Sequence, residues 1–263
     1  MLIGVNWIAP HTLPAIRALI DQGSADFCEI MVDNFIHLPA KEIKMALPDV
    51  PIALHIVASR FLEKPLDEIE SLAIHLRRLI HDLQPIYVSD HLIQFTDEAG
   101  RRLPMIAEWD YDQHYSHIKN RVLLWQELLG ANVLFENHAS ITSRGKNQAE
   151  FYEKLIHDTH ASLLFDFSNA HIAELNQICQ ATSWDAHIRQ TAHFHVAGFK
   201  LDSTSGLALD THDEPIADAV LTSMQTYFAQ DEHKENRTIV LECDANVDLA
   251  TWENEIVRLR SIL

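Results

Sequence analysis

A (β/α)8 barrel is the fold class this sequence predicts, and three observations point to it. The chain has 263 residues, close to the ~250 that a closed eight-stranded α/β barrel takes. It contains eight short β-branched or apolar runs, most nearly continuous in hydrophobicity, as parallel strands covered on both faces require. Between them lie segments whose apolar residues return every three or four positions, the pattern of amphipathic helices. Hydrophobic residues make up 47% of the chain and charged residues 22%, a balance that supports a packed core and excludes disorder. Counting units leaves a doubly wound open sheet as the second fold, because it shares the strand–helix alternation.

In chain order the strands are expected at 2–7 (LIGVNW), 26–32 (DFCEIMV), 51–57 (PIALHIV) and 85–89 (PIYVS). The second half supplies 132–136 (NVLFE), 162–167 (SLLFDF), 191–196 (TAHFHV) and 238–243 (TIVLEC). Helical periodicity is clearest at 65–83 and 111–129, and a last helix at 249–263 closes the chain. No low-complexity run, proline-rich linker or repeated motif interrupts this series, so the chain reads as one domain, 1–263.

Composition narrows the function classes. Thirty-eight acidic against twenty basic residues leave a net charge of −18. Such a surface repels phosphate backbones, and no basic patch offsets it, so nucleic acid is not an expected partner. No apolar stretch approaches the ~20 residues that span a bilayer. The opening Met1-Leu2-Ile3-Gly4-Val5-Asn6-Trp7 lacks the basic start and cleavage site of a signal peptide. Three widely spaced cysteines, Cys28, Cys179 and Cys243, suggest reduced thiols in a cytoplasmic protein rather than a disulfide framework. The seven glycines are scattered, so no glycine loop cradles a phosphate.

In a barrel of this kind functional groups come from the C-terminal ends of the strands. Those ends carry, in order, Glu29 and Asn34, His55, Asp90-His91, and Glu136-Asn137-His138. They continue with Asp166, Asn169 and His171, then His193 and His195, then Asp210-Thr211-His212, and finally Glu242 and Asp244. One histidine at the end of an apolar run is more often a hydrogen-bonded core residue than a ligand. Six or more strand ends converging on one rim differ, because burying unpaired carboxylates and imidazoles is costly unless a metal takes them up. Mixed His, Asp and Glu donors suit borderline divalent cations such as Fe, Mn or Zn, and the donor count suggests two or three ions.

His55, His91, Glu136, Asp166, Asn169, His195, Asp210-x-His212 and Glu242 resemble the ligand series of the xylose-isomerase-like barrels, of which endonuclease IV is a trinuclear member. More particular words are Val88-Ser89-Asp90-His91-Leu92, Phe135-Glu136-Asn137, Asp166-Phe167-Ser168-Asn169, His195-Val196-Ala197-Gly198 and Leu241-Glu242-x-Asp244. They resemble the multinuclear non-haem iron oxidases that modify cysteines in ribosomally made peptides, and the short chain with the words Glu29-Ile-Met-Val-Asp-Asn34 and Asp166-Phe-Ser-Asn-Ala-His171 is most similar to the methanobactin-biosynthesis type. The resemblance implies that His55, His91 and Glu136 hold one ion. Glu136 then bridges to a second, completed by Asp166, His195 and Glu242. Asp210 and His212 hold a third together with Asn169, where endonuclease-like relatives carry histidine. His171 is either a substitute third-site ligand or a group facing the substrate. Asp90, Asn137 and Asp244 read as partners that orient ligands. His193 reads as packed deeper in its strand, and Cys28 and Cys243 as core thiols facing away from the lumen.

By the same resemblance, the activity is an O2-dependent oxidation that converts a precursor-peptide cysteine to an oxazolone with an adjacent thioamide. The cofactor would be two or three iron ions of mixed Fe(II)/Fe(III) valence, with O2 as co-substrate. Relatives act with a peptide-binding companion subunit of the MbnC type, so a heterodimer is expected. The competing readings are an endonuclease IV-like metal-dependent phosphodiesterase, a sugar isomerase or epimerase of the same superfamily, and a non-catalytic metal scaffold. The −18 charge weighs against the first. The second wants a cation at the rim, for which Lys200 is the near candidate.

Overall fold

The computed structural model describes residues 1–97, 99–244 and 248–263. Its strands in chain order are β1 (Leu2–Trp7), β2 (Phe27–Met31), β3 (Ile52–His55), β4 (Val88–His91), β5 (Ile93–Thr96) and β6 (Arg102–Glu108). They continue with β7 (Val133–Glu136), β8 (Ser162–Asp166), β9 (His193–Ala197), β10 (Phe199–Leu201), β11 (Ala208–Asp210) and β12 (Thr238–Glu242). The helices are α1 (Leu13–Asp21), α2 (Val32–Phe35), α3 (Ala40–Ala46), α4 (Leu66–Leu83) and α5 (Tyr111–Leu129), then α6 (Gln148–Thr159), α7 (Phe167–Leu175), α8 (Asp185–Ile188), α9 (Asp218–Phe228) and α10 (Leu249–Ile262). Strands β1, β2, β3, β4, β7, β8, β9 and β12 pair in that order and close back onto β1 as a parallel barrel. Each of the eight expected strand runs overlaps one of them, and the open doubly wound sheet is excluded by closure.

Three departures from the sequence reading matter for the site. The fourth strand runs on to His91 instead of ending at Ser89, because Asp90 is held inside: its carboxylate accepts from the His91 amide at 2.7 Å and from the Trp125 indole at 2.9 Å. Directly after it, β5 and β6 form an antiparallel hairpin with a register shift between Gln94 and Thr96. A second hairpin, β10–β11, follows β9. Neither hairpin shows a clean alternating run in the sequence, since one is bulged and the other has three-residue strands.

Period-two geometry orders the lumen. Phe27, Ala53, Tyr87, Leu134, Leu164 and Val240 form an apolar plug inside the barrel. Two residues further along β3, β4, β7, β8 and β12 stand His55, Ser89, Glu136, Asp166 and Glu242. An oily floor thus carries a polar layer directly above it. Gly4 makes room for that floor, because a Cβ there would lie 2.4 Å from the Phe27 ring. The outward residues of the strands, with Trp125, Trp184 and Trp252, pack under the helices in the larger core. Burial of each such side chain contributes about 1.5–3 kcal/mol. Among the described residues, no helix is long and apolar enough to cross a membrane.

Candidate metal centre

The polar layer is assembled by strand ends and by the turns that leave them. On β8 the turn is built into the word Asp166-Phe-Ser-Asn169. Asp166 caps α7 by accepting the Asn169 amide on Oδ1 at 2.6 Å. One carboxylate oxygen therefore starts the helix, and the other, Oδ2, is buried with no hydrogen-bond partner. Asn137 fastens the same corner, accepting from the Asp166 amide at 2.7 Å and donating to its carbonyl at 3.0 Å.

Two groups of donors meet at Glu136. His55, His91 and Glu136 form one, and Glu136, Asp166, His195 and Glu242 the other, with the donor atoms of each group within 4.8 Å of one another. Glu136 Oε2 lies 3.6 Å from His55 Nε2, 3.5 Å from His91 Nε2 and 3.6 Å from His195 Nδ1. His195 Nδ1 is 3.2 Å from Glu242 Oε2. Further toward the mouth, His212 Nε2 stands 2.8 Å from Asp210 Oδ1 and 4.0 Å from Glu242 Oε2. His212 adopts a left-handed backbone, φ 51°, a strained conformation typical of functional positions. Its Nδ1 faces Asp244 at 3.1 Å, and Asp244 is held in turn by the Asn6 side-chain amide at 2.9 Å.

Asn169 belongs to this layer. Its amide nitrogen donates to Glu136 Oε1 at 3.1 Å and to the Asn137 carbonyl at 3.0 Å. That leaves its Oδ1 buried and without a partner. His171 is not brought to the cluster. It sits half-buried on α7, with its ring 5.7 Å from Phe199, and lines a groove of about 790 Å3 together with Phe167, Arg189 and Tyr227. His193 is deeper in β9, bonded to Thr238 at 2.9 Å and packed on Tyr87. Sequence reasoning placed Glu29 on the rim without a role. The structure sets it below the layer, bonded to both His195 and Tyr87. Its signal was a carboxylate two residues past Phe27 in an otherwise apolar run. Ser89 was also missed. Its hydroxyl donates to the Leu54 carbonyl and accepts from His55 Nδ1 at 2.8 Å, so His55 presents the lone pair of Nε2 to the centre.

The electrostatics are those of acids and imidazoles crowded together out of water. Burial pushes Glu136 up to about 8 and Asp166 up to about 7. His195 is also fully buried, which works against its charge, but the carboxylates of Glu242, Glu29 and Glu136 outweigh this and hold it well above the usual imidazole range. Burial opposes ionisation of Glu242 as well, yet His195 and His212 keep it well below the usual carboxylate range. Glu136 Oε2, Asp166 Oδ2, Asn169 Oδ1 and His195 Nδ1 are all buried atoms without hydrogen-bond partners. Orphaned buried polar atoms are rare and need a cause. Here they converge, and hard oxygen and imidazole donors of this kind fit Fe, Mn or Zn.

Fold and site together define a (β/α)8 barrel whose C-terminal rim carries donor groups that could hold metal ions. The family model of the RiPP (ribosomally made, modified peptide) precursor modification enzymes MbnB/TglH/ChrH matches residues 2–263, and the chain belongs to that family. A UPF0276 protein of Rhizorhabdus wittichii is 26% identical over 214 residues, covering 79% of this chain and 76% of its own. Another, from Psychromonas ingrahamii, is 23% identical over 257 residues, covering 93% and 88%. Among solved structures, the 3-keto-D-glucoside 4-epimerase of E. coli superposes with a TM-score of 0.64 at 16% identity, covering 99% of both chains. Endonuclease IV from Thermus thermophilus gives 0.59 at 14% identity, covering 100% of this chain and 98% of its own. A xylose isomerase-like barrel protein from Mycobacterium smegmatis, solved with magnesium, gives 0.64 at 12%, covering 99% and 96%. These likenesses concern the fold.

Proposed function

We propose that this chain is a multinuclear iron, O2-dependent oxidase of the methanobactin type, acting on a cysteine of a ribosomally made precursor peptide with a companion subunit. The carrying observation is the convergence of orphaned donor atoms around Glu136 in a chain of the peptide-modifying family. Conversion of a cysteine residue and its preceding amide to an oxazolone and thioamide removes four hydrogens, and one O2 takes them as two waters. Iron bound here would supply redox electrons and a positive charge that favours the substrate thiolate. His55, His91 and Glu136 would hold one position, and Glu136, Asp166, His195 and Glu242 the next. Asn169, Asp210 and His212 would hold a third at the mouth, nearest the incoming peptide. The apolar floor beneath keeps water from entering from below.

The test is anaerobic purification, metal analysis and incubation with precursor peptide, companion subunit and O2. The proposal expects two or three irons per chain and a peptide lighter by four hydrogens. Glu136→Ala, which removes the shared carboxylate, is expected to lose most bound iron and all peptide oxidation. Peptide oxidation that persists in this variant, or a zinc-loaded protein that cleaves phosphodiesters instead, would overturn the proposal.

A further inference from the structure

His195 is fully buried, and its two ring nitrogens face different partners. Nδ1 looks into the donor layer, 3.2 Å from Glu242 Oε2. Nε2 points away from it, 3.0 Å from Glu29 Oε2. Glu29 is itself 1% exposed, and the Tyr87 hydroxyl donates to the same Oε2 at 2.6 Å. A neutral imidazole carries one proton, and Glu242 stands close enough to take it from Nδ1. An imidazole protonated at Nδ1 has no lone pair there for a metal. From these contacts we infer that Glu29 is a positioning residue. It accepts the Nε2 proton of His195, fixes the tautomer, and so turns the Nδ1 lone pair toward the metal, with Tyr87 pinning the carboxylate in place.

Glu29 is paired with His195 across 166 residues, and no apolar replacement would supply the acceptor. A carboxylate behind a ligating imidazole is a recurring arrangement at metal sites, and its removal lowers metal affinity 10–100-fold. Glu29, His55 and His195 also come within donor range of one another, so direct ligation by Glu29 is the rival reading. The two readings differ in stoichiometry: positioning alters the affinity of one equivalent, whereas ligation removes one.

The inference rests on the metal-centre reading, and its test uses Co(II) alone, without iron, O2 or peptide. Wild type, Glu29→Ala, Glu29→Gln and Tyr87→Phe are titrated with Co(II), following the visible d–d bands, with far-ultraviolet circular dichroism as a check on folding. Glu29→Ala is expected to bind the same number of equivalents, one of them 10–100-fold more weakly, with a shifted d–d spectrum. Glu29→Gln keeps a carbonyl acceptor and is expected to recover affinity to within a few-fold, and Tyr87→Phe to fall between. Unchanged affinity and spectrum in Glu29→Ala, loss of a whole equivalent, or a folded Glu29→Gln as weak as Glu29→Ala would each overturn the inference. Failure of the oxidase reading would leave Co(II) binding by the wild type untouched, and wild type that takes up no Co(II) would sink the metal centre itself.

Discussion

Individual side chains in this barrel are oriented by partners that leave one atom spare. Asp166 spends Oδ1 on the start of α7 and keeps Oδ2 for the centre. Asn169 uses both amide hydrogens on Glu136 and the Asn137 carbonyl, which fixes the side chain with Oδ1 inward. A neutral amide oxygen is a weaker ligand than imidazole, so the proposed third position would be the weakest of the three. Asn169→Ala is expected to remove metal there while the other two positions fill. The check is metal analysis after mild chelation; full stoichiometry in the variant would show that Oδ1 is not used. The residue types were readable from sequence, because a carboxylate or imidazole at the end of an apolar strand stands out. Which atom faces inward was not, since that depends on Asn137, Ser89 and Glu29, each on another strand or turn.

The barrel strands were legible as elements because buried parallel strands are short apolar runs, and their inward residues follow period two. The hairpins were not legible: β10 and β11 hold three residues each, too few for a pattern. Yet β10–β11 leads directly into Asp210 and His212. The loop is tied at Gly198, whose carbonyl accepts from the His212 amide at 3.0 Å. A Cβ on Gly198 would lie 1.6 Å from the Glu214 carbonyl oxygen, an overlap the backbone must move to relieve. Gly198→Ala is therefore expected to displace Asp210 and His212 and deplete the third metal position, with barrel stability nearly unchanged. Thermal denaturation beside metal analysis reads both. Normal third-site occupancy would mean the loop tolerates the shift.

At the scale of the whole molecule, the metal-free protein carries protons the unfolded chain would not. Folded Asp166 and Glu136 titrate at about 7 and about 8, whereas unfolded carboxylates titrate near ~4. Between those limits the native state holds more protons at these two groups, so their contribution to stability falls as pH rises; the buried imidazoles of His55 and His91, held low by desolvation, work the other way until the unfolded imidazole value of ~6.5 is passed. His195 adds to the fall above ~6.5, its raised value meaning that the stabilisation is lost as pH climbs through it. Glu242, held low, is ionised in both states across this interval and contributes no slope. Cations bound at these carboxylates would replace the protons. Above the unfolded imidazole range, from about pH 7 to about pH 8.5, the chelator-treated protein is expected to lose thermal stability, and the metal-loaded protein to resist that loss. Melting curves across that range, with and without metal, check the sign; a metal-free midpoint that rises with pH would contradict it.

Eight apolar runs separated by amphipathic segments pointed to a parallel α/β fold with the barrel as the first choice, and the pairing of β1 with β12 decided closure over the open doubly wound sheet. The positions of His55, His91, Glu136, Asp166, His195 and Glu242 at strand ends were enough to point to one rim. Local pattern carries that much because strand and helix periodicities act over a few residues. Only the closed barrel decided that Asn169 joins the donor layer while His171 lines a groove with Phe167, and that Glu29 stands behind His195. Those outcomes depend on contacts between residues far apart in the chain, whose distances are set when β1 meets β12 and the ring is complete.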